Sequence, residues 1–510
     1  MSLTATVKSI QDIMRKDVGV DGDAQRIGQL VWLLFLKIWD DRELEQEQLA
    51  TDYSSPLVNV RWRTGTGREQ LAKDLRWRAW AADKEGATGD ELLEFVNDTL
   101  FPALKNLDLG ELPTGNPTKA KAAAAALYHR RALLKPVFED AYQYMKSGTL
   151  LRQVVNKIQE AIDFNDSKTR HLFGEIYETL LGSLQSAGNA GEYYTPRAVT
   201  QFAVDMIDPQ LGETVLDPAC GTGGFLACAI EHLRKQVKTP ADEVRLQASI
   251  RGVEKKPLPH LLCVTNMIVH GIDVPTSIRH LNTLARPLRD IGPKDRVEVI
   301  VTNPPFGGME EDGIENNFPE SFRTRETADL FLVWIIETLK DGGRAAVVLP
   351  DGTMFGEGVK TRVKERLLGE CNLHTIVRLP KGVFAPYTSI QTNVLFFEKG
   401  KPTTEVWFYE HPYPLGAKSY SKTKPLRIEE FAVEKKWWRK RKASEQAWKV
   451  SIGDIKARGY NLDLKNPNAK DDVHEAPAVL LERYDAAVKV AAELKARLRD
   501  ELAKSLAGKV

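Results

Sequence analysis

Val215-Leu216-Asp217-Pro218-Ala219-Cys220-Gly221-Thr222-Gly223-Gly224-Phe225 reads as an apolar strand that ends on an acid, turns through glycines and runs into a helix. Glycines at 221, 223 and 224 let a ligand approach the backbone closely, and the helix start behind them offers N–H groups without intrahelical partners. Phosphate is the first rival ligand for such a turn. No lysine follows the last glycine, which argues against a Walker loop, and the spacing is not the Gly-x-Gly-x-x-Gly of a dinucleotide fold. Further on, Ile250-Arg251-Gly252-Val253-Glu254 is a second strand-like piece ending in an acid. A carboxylate there is placed to accept both hydroxyls of an adenosyl ribose, as acids do in dinucleotide folds. The plain alternative is a solvated glutamate ahead of Lys255 and Lys256. Strands alternate with helices from about 170 to about 400, which argues for an α/β fold with a mainly parallel sheet covered on both faces. Later strands are expected at Ala345 to Leu349, Thr375 to Leu379 and Asn393 to Phe397.

The apolar run Val297-Glu298-Val299-Ile300-Val301-Thr302 leads directly into Asn303-Pro304-Pro305-Phe306. These residue types suit one difficult reaction, methylation of an exocyclic amine whose lone pair is delocalised into a neighbouring ring. The side-chain carbonyl of Asn303 and the backbone carbonyl of Pro304 can each accept a hydrogen bond from that amine. Together they draw it toward tetrahedral geometry and aim its lone pair at a methyl donor, which is catalysis by position and electrostatics rather than by a general base. Two prolines fix φ and remove backbone donors, and Phe306 offers a flat face for a base. Asn-Pro is also an ordinary turn-opening pair, so only the upstream context separates chemistry from a simple turn.

In their order along the chain, these motifs resemble those of S-adenosylmethionine-dependent amino-methyltransferases, whose fold is Rossmann-like. Gly191-Glu192-Tyr193-Tyr194-Thr195-Pro196-Arg197 is similar to the segment that touches the methionine end of the cofactor in the DNA adenine-N6 class. From the residues alone, Thr195 is a good N-cap and Pro196 suits the first helical position, so a carboxylate-binding helix start or a plain cap is expected. Phe173 to Leu181, Gly342-Gly343-Arg344-Ala345-Ala346-Val347-Val348-Leu349-Pro350 and Gly459-Tyr460-Asn461-Leu462-Asp463 narrow the resemblance to the modification subunit of type I restriction-modification systems.

That resemblance implies a pocket for S-adenosyl-L-methionine lined by Glu192, Tyr193, Tyr194, Thr195, Pro196, Arg197, Asp217, Ala219, Gly221, Thr222, Gly223, Gly224 and Glu254. It implies catalytic Asn303, Pro304, Pro305 and Phe306. Where the family often has an acid facing the cofactor's adenine, this chain has Asn282, whose amide offers a donor as well as an acceptor. The loop Phe384-Ala385-Pro386-Tyr387-Thr388-Ser389 lies where the family closes on an extruded base, so Phe384 and Tyr387 join Phe306 as base-stacking candidates. A core role for Phe384 is the competing reading.

Bulk properties fit a cytoplasmic protein of two or three domains, given 510 residues. The longest clean apolar stretch, Leu30 to Leu36, is far short of the roughly 18 residues a membrane span needs. The first residues lack a basic region followed by an apolar core, so no secretory signal is visible. Four cysteines show no metal-ligand spacing and read as reduced thiols, and the nine histidines form no metal or triad pattern. A formal net charge of +1, from 71 basic and 70 acidic residues, is low for a protein that grips DNA alone, because phosphate contacts supply most non-specific affinity. The best local basic candidate is Lys435-Lys436-Trp437-Trp438-Arg439-Lys440-Arg441-Lys442, with tryptophans that either stack on bases or anchor the segment in the core.

The expected organisation is a helical N-terminal domain over 1–165, a methyltransferase domain over 166–400, an extension over 401–470 and a C-terminal helix for subunit docking over 471–510. Within the first domain, Gln25 to Leu49 reads as amphipathic and Lys119 to Lys146 as an alanine-rich helix. Asp52 to Ala87 reads as a hairpin or irregular insertion whose Arg61-Trp62-Arg63 and Arg76-Trp77-Arg78 suggest cation–π surface packing. In the tail, Leu480, Tyr484, Ala487, Ala491, Leu494 and Leu498 form a heptad-like stripe that packs either on its own chain or on another subunit.

With the sheet expected to end near Phe397, too little chain follows for a recognition region. The resemblance therefore implies partners: double-stranded DNA, a specificity subunit that reads the site, a second copy of this subunit and, as a further member, a restriction subunit. The expected activity is methyl transfer to adenine N6 in DNA after base flipping. The rivals are a methyltransferase for protein glutamine or RNA, and a silent scaffold with the same fold.

Overall fold

The strands that the sequence marks by β-branched, apolar runs pair, together with three that it does not mark, into a nine-stranded sheet among the described residues. The structure is a computed structural model that describes residues 3–50, 53–114, 116, 118–161, 163, 194–385, 388, 390–414, 416–417, 419–421, 424–468 and 477–507. Residues 1–465 form one unit and residues 466–510 a second.

In the first unit, β1 (Val58–Arg63) and β2 (Glu69–Asp74) make a separate antiparallel hairpin. The sheet contains β3 (Val215–Asp217), β4 (Ile250–Glu254), β5 (Ile278–His280), β6 (Val297–Thr302), β7 (Leu339–Pro350), β8 (Cys371–Arg378), β9 (Thr392–Lys399), β10 (Glu405–Glu410) and β11 (Ala447–Ser451). Their spatial order is β11-β10-β8-β9-β7-β6-β3-β4-β5. Pairings from β5 through β7 and between β8 and β10 are parallel, while β9 and β11 run against their neighbours. The mainly parallel α/β expectation holds. The sheet nevertheless continues beyond Phe397, because β10 and β11 add at the β8 side.

Helices cover both faces. Two buried side-chain clusters result, one joining the helix Arg197–Ile207, the helices Gly224–Arg234 and Pro257–Val269 and the N-terminal helices, the other centred on the helix Thr327–Thr338. Parallel strands need such cover, because both of their faces are apolar.

The helical N-terminus includes Leu3–Met14, Asp23–Leu49, Lys119–Glu139 and Gly148–Ala161. Helix Asp23–Leu49 departs from the amphipathic reading, since every residue from Gln29 to Asp41 is buried. A helix buried all round must satisfy its polar groups internally. Lys37 donates to Asp41 at 2.6 Å, Arg78 to Asp40 at 2.8 Å, and Gln29 accepts from the Tyr144 backbone at 2.8 Å.

Two further expectations change for related reasons. The alanine-rich helix stops at Glu139 rather than Lys146, because the Tyr144 N–H is claimed by Gln29 and the Lys146 and Ser147 N–H groups by Asp17. Tertiary acceptors outcompete continued helix there. The Arg-Trp pairs are not cation–π surface packing: Trp62 and Trp77 are buried, and Arg76 and Arg78 face Asp74, Asp40 and Glu47.

The second unit is described as the helix Pro477–Ala507, on which Leu481, Tyr484, Val488, Leu494 and Leu498 are exposed. Among the described residues no helix is long and apolar enough to cross a membrane.

One buried carboxyl in the N-terminal domain reports on pH. Glu43 accepts hydrogen bonds from Tyr53 and Ser55, and burial pushes its carboxyl from 4.5 up to about 7. The folded state therefore holds a proton that the unfolded chain has lost. This stabilisation is complete below the unfolded value and disappears as pH rises through about 7. Glu43→Gln, which mimics the protonated form, should leave the melting temperature near wild type at about pH 5 and raise it at about pH 8. Thermal melts of the full chain at both pH values check this; equal effects at both would contradict it.

Candidate active site at the carboxyl edge of the sheet

β3 sits where the connections turn in opposite directions, with β4 and β5 added on one side and β6 and β7 on the other. At such a switch point the carboxyl ends of adjacent strands part into a crevice that suits a ligand. Val215 is level with both Ile250 and Val299, so the segments after Asp217, Glu254 and Thr302 leave the sheet on the same edge.

The glycine turn is shaped from below. Asp217 is buried and accepts from the Ala219 N–H at 3.1 Å; burial pushes its carboxyl up to about 7, and the neighbouring charge of Glu254 adds to the rise. Its contribution to the pocket passes through the backbone it holds. Gly221 and Gly223 both have positive φ, 52° and 84°. Gly223 caps the helix Gly224–Arg234, and a Cβ there would lie 2.9 Å from Cys263 Sγ and 3.0 Å from Met267 Cε. Gly221 differs, because an added Cβ would meet nothing within 4 Å. The mouth of the turn is open space beside Glu254.

Glu254 is oriented by two backbone donors, Gly221 N–H at 2.9 Å and Lys256 N–H at 2.7 Å. A carboxylate oxygen can accept more than one hydrogen bond, the capacity that a pair of adjacent hydroxyls would use. The solvated-glutamate alternative does not describe this geometry. The Thr222 carbonyl accepts from Asn266 Nδ2 at 3.0 Å, which ties the turn to the helix Pro257–Val269.

Asn303 directly follows β6. Its Nδ2 donates to Thr195 Oγ1 at 2.9 Å, and its Oδ1 is buried with no hydrogen-bond partner among the described residues. A buried acceptor without a partner costs about 1–3 kcal/mol, an unusual expense in a folded protein. Pro304 is buried and Pro305 exposed. Phe306 and Phe384 are both buried and meet edge to face, with centroids 6.2 Å apart and planes at 83°.

Thr195 does not cap the following helix, contrary to the sequence expectation. The Pro196 carbonyl accepts the first helical bond, from Thr200 N–H at 3.1 Å, which moves the cap one residue on and leaves the Thr195 hydroxyl for Asn303. Arg197 pairs with Glu231 at 2.7 Å, and Tyr194 packs partly buried against the core. Glu192, Tyr193 and Tyr387 lie outside the described residues, as does the segment from Phe173 to Leu181.

Asn282 follows β5 at the same edge. Its Oδ1 accepts from Leu284 N–H at 3.0 Å and its Nδ2 donates to Glu310 Oε2 at 3.1 Å. Neither the Thr195–Asn303 link nor Glu310 was legible in the sequence, since each joins residues far apart in the chain. In the basic segment, Trp438 packs on Phe202 and Phe396, Arg441 lies 4.7 Å over Trp438, and Lys435 pairs with Asp205 at 2.6 Å. The tryptophans are anchors, leaving Lys436, Arg439, Lys440 and Lys442 at the surface.

A switch-point pocket beside an Asn-Pro-Pro-Phe turn agrees with comparison to known sequences: the model of the N-6 DNA methylase family matches residues 168–476. The chain belongs to that family. The methylase also matches the HsdM N-terminal domain over residues 3–158. It is 58% identical to the type I restriction enzyme EcoEI methylase subunit of Escherichia coli, over 100% of this chain and 99% of the relative. A crystallised type I modification subunit from Vibrio vulnificus YJ016 superposes with a TM-score of 0.77 at 44% identity, covering 93% of this methylase and 99% of that chain. A chain from a structural study of type I complex assembly gives a TM-score of 0.74 at 35% identity, covering 98% and 99%. The methylase is thus a type I methylase subunit.

The two left-handed glycines of the turn separate two costs. Gly221→Ala should cost only the backbone strain of about 1–2 kcal/mol for a left-handed residue. Gly223→Ala adds overpacking against Cys263 and Met267, roughly 1–3 kcal/mol more. Thermal melts of both variants without added ligand should show the larger loss for Gly223→Ala; the reverse order would contradict the packing described.

Proposed function

We propose that this methylase subunit transfers a methyl group from S-adenosyl-L-methionine to the N6 amine of adenine in DNA, in a complex whose target site is read by a separate specificity subunit. The observation that carries this reading is the buried Oδ1 of Asn303, an acceptor without a partner among the described residues at the carboxyl edge of the sheet.

The residues fit the cofactor. Glu254, oriented by Gly221 and Lys256, would hold its ribose, the open space at Gly221 would admit its backbone-hugging portion, and Asn282 would lie toward its adenine. When bound, the cofactor supplies an electrophilic methyl group. The protein's part is to prepare the nucleophile. Thr195, by taking the Nδ2 of Asn303, turns Oδ1 toward the arriving amine, and the Pro304 carbonyl is the second acceptor. Shielding from water strengthens both bonds, since the acceptor has no hydration shell to lose. Polarising the amine in this way needs no base. Phe306 and Phe384 would supply the flat surfaces, and because their rings meet edge to face, an extruded base would have to part them.

Membership of a DNA methylase family favours DNA over the glutamine and RNA amines that pose the same orbital problem. The partner reading rests on the near-neutral net charge, which leaves part of the phosphate contact to another subunit, and on membership among type I methylase subunits. The exposed stripe on the helix Pro477–Ala507 is the proposed docking surface for the specificity subunit.

Asn303→Ala should lower methyl incorporation into DNA by about 10²–10³, by analogy with loss of one preorganised oxyanion donor, with cofactor affinity nearly unchanged. The assay is single-turnover methylation in the assembled complex; near-normal turnover would remove Asn303 from the mechanism. Glu254→Ala should act oppositely, weakening cofactor binding by up to about 1.5–3 kcal/mol per charge-assisted bond lost. An unchanged dissociation constant in calorimetry would refute the ribose role.

For the tail, Leu494→Asp combined with Leu498→Asp should leave the melting temperature of the isolated chain unchanged and abolish co-purification with the specificity subunit, because unpaired charge is costly only where the stripe is covered. A destabilised isolated chain would assign the stripe to this subunit's own packing.

A further inference from the structure

Asn282 has an amide whose two ends look interchangeable by shape but not by chemistry, and the structure commits each end to a different partner. The carbonyl side caps the short 3₁₀ turn Thr283–Ala285, and the amino side donates to Glu310. Glu310 lies in the segment that follows the Asn-Pro-Pro-Phe turn and is 8% exposed. It is held at the carboxylate and at the backbone: Lys255 lies 3.4 Å from the same carboxylate oxygen, its N–H bonds the Arg325 carbonyl at 2.9 Å, and its own carbonyl accepts from the Arg325 guanidinium at 3.0 Å. A buried carboxylate is an acceptor only, so the group facing it must donate. Glu310 at one end and the Leu284 N–H at the other therefore fix which way the Asn282 amide points.

Lys255 directly follows Glu254, and the backbone of Leu281 bonds the Glu254 carbonyl at 3.0 Å. The Glu310 cluster thus sits beside the carboxylate that faces the ribose. We propose that Glu310 is a positioning residue of the cofactor pocket: it holds the Asn282 amide so that its carbonyl oxygen, which takes the Leu284 N–H on one lone pair, turns the other toward the 6-amino group of the cofactor's purine. This rests on the reading of the pocket as an adenosyl site. Selection for adenine over hypoxanthine is then set by a residue on the catalytic segment. An amine donates to the Asn282 carbonyl, whereas the 6-oxo group of hypoxanthine presents an acceptor to an acceptor.

The arrangement has a consequence that separates it from a merely structural role. An aspartate at 282 offers two acceptor oxygens and would suit the amine better if the site were judged alone. Next to Glu310 it would place two carboxylates about 3 Å apart, which cannot both ionise without strong cost. Asparagine is the residue that Glu310 demands.

The test is calorimetric titration of S-adenosylhomocysteine and S-inosylhomocysteine into the full chain and its variants at about pH 8, with thermal melts alongside. Glu310→Ala should weaken the adenosyl probe about tenfold, the scale of one charge-assisted hydrogen bond, while leaving the inosyl probe within about twofold, so that the preference collapses. Glu310→Gln, which can still accept through its amide oxygen, should retain most of that preference. Asn282→Asp should weaken the adenosyl probe, and the double change Asn282→Asp with Glu310→Gln should restore it, because the donor and acceptor have exchanged places. An unchanged preference in Glu310→Ala, or tighter adenosyl binding in Asn282→Asp alone, overturns the proposal while leaving the pocket intact. A wild-type chain that binds neither probe overturns the pocket reading and this proposal with it.

Discussion

Three residues, Val215–Asp217, constrain the rest of the fold. β3 is paired on both sides, by β4 and β6, and all three of its residues are buried. A strand without a free edge or a solvent face cannot slip in register, because a one-residue shift would turn every side chain to the other face and strand backbone groups away from water. Its fixed end is what brings the glycine turn, Glu254 and Asn303 out at one edge. The turn then has little freedom: Asp217 holds it from beneath, and the Cys220 N–H is tied to Val253 of β4 at 3.0 Å.

The site built on that edge works by committing ambiguous groups. Asparagine amides and threonine hydroxyls can donate or accept, and in solution would do both. Here the amide of Asn303 spends its donor on Thr195, and that of Asn282 spends its donor on Glu310. In each case the carbonyl oxygen is given a defined direction, at Asn282 with the help of the Leu284 N–H that it accepts. Such preorganisation is what a methylation of a delocalised amine requires, since the protein has no proton to remove before attack and must instead pay for geometry in advance.

The N-terminal helices obey a different demand. Because the helix Asp23–Leu49 is buried around its whole circumference between Gln29 and Asp41, its charged residues there are paired, Lys37 with Asp41 inside the helix and Asp40 with Arg78 from another segment. Arg78 and Tyr144 are drawn to it from distant parts of the chain. The same matching ends the alanine-rich helix early and turns Arg-Trp pairs into internal ion pairs and buried rings, so hydrophobic pattern alone misjudged all three.

What the sequence determined by itself was whatever depends on local order and residue chemistry. The strand Val297–Thr302 was expected at its observed bounds, and Ile250–Glu254 likewise. The glycines at 221, 223 and 224 announced a turn whose backbone a ligand can approach closely, and the Asn-Pro-Pro-Phe run announced carbonyl acceptors beside a flat ring. Strands β10 and β11 were not expected, because edge additions depend on what lies beside β8 rather than on their own pattern. Only the tertiary structure decided that Thr195 serves Asn303 instead of its helix, that Glu310 reaches Asn282, and that Phe306 meets Phe384. Each of these joins residues whose separation in the chain carries no periodic signal, and a hydrogen bond or ring contact acts over only a few ångströms. Such a contact exists only once the buried sheet has brought its strand ends together.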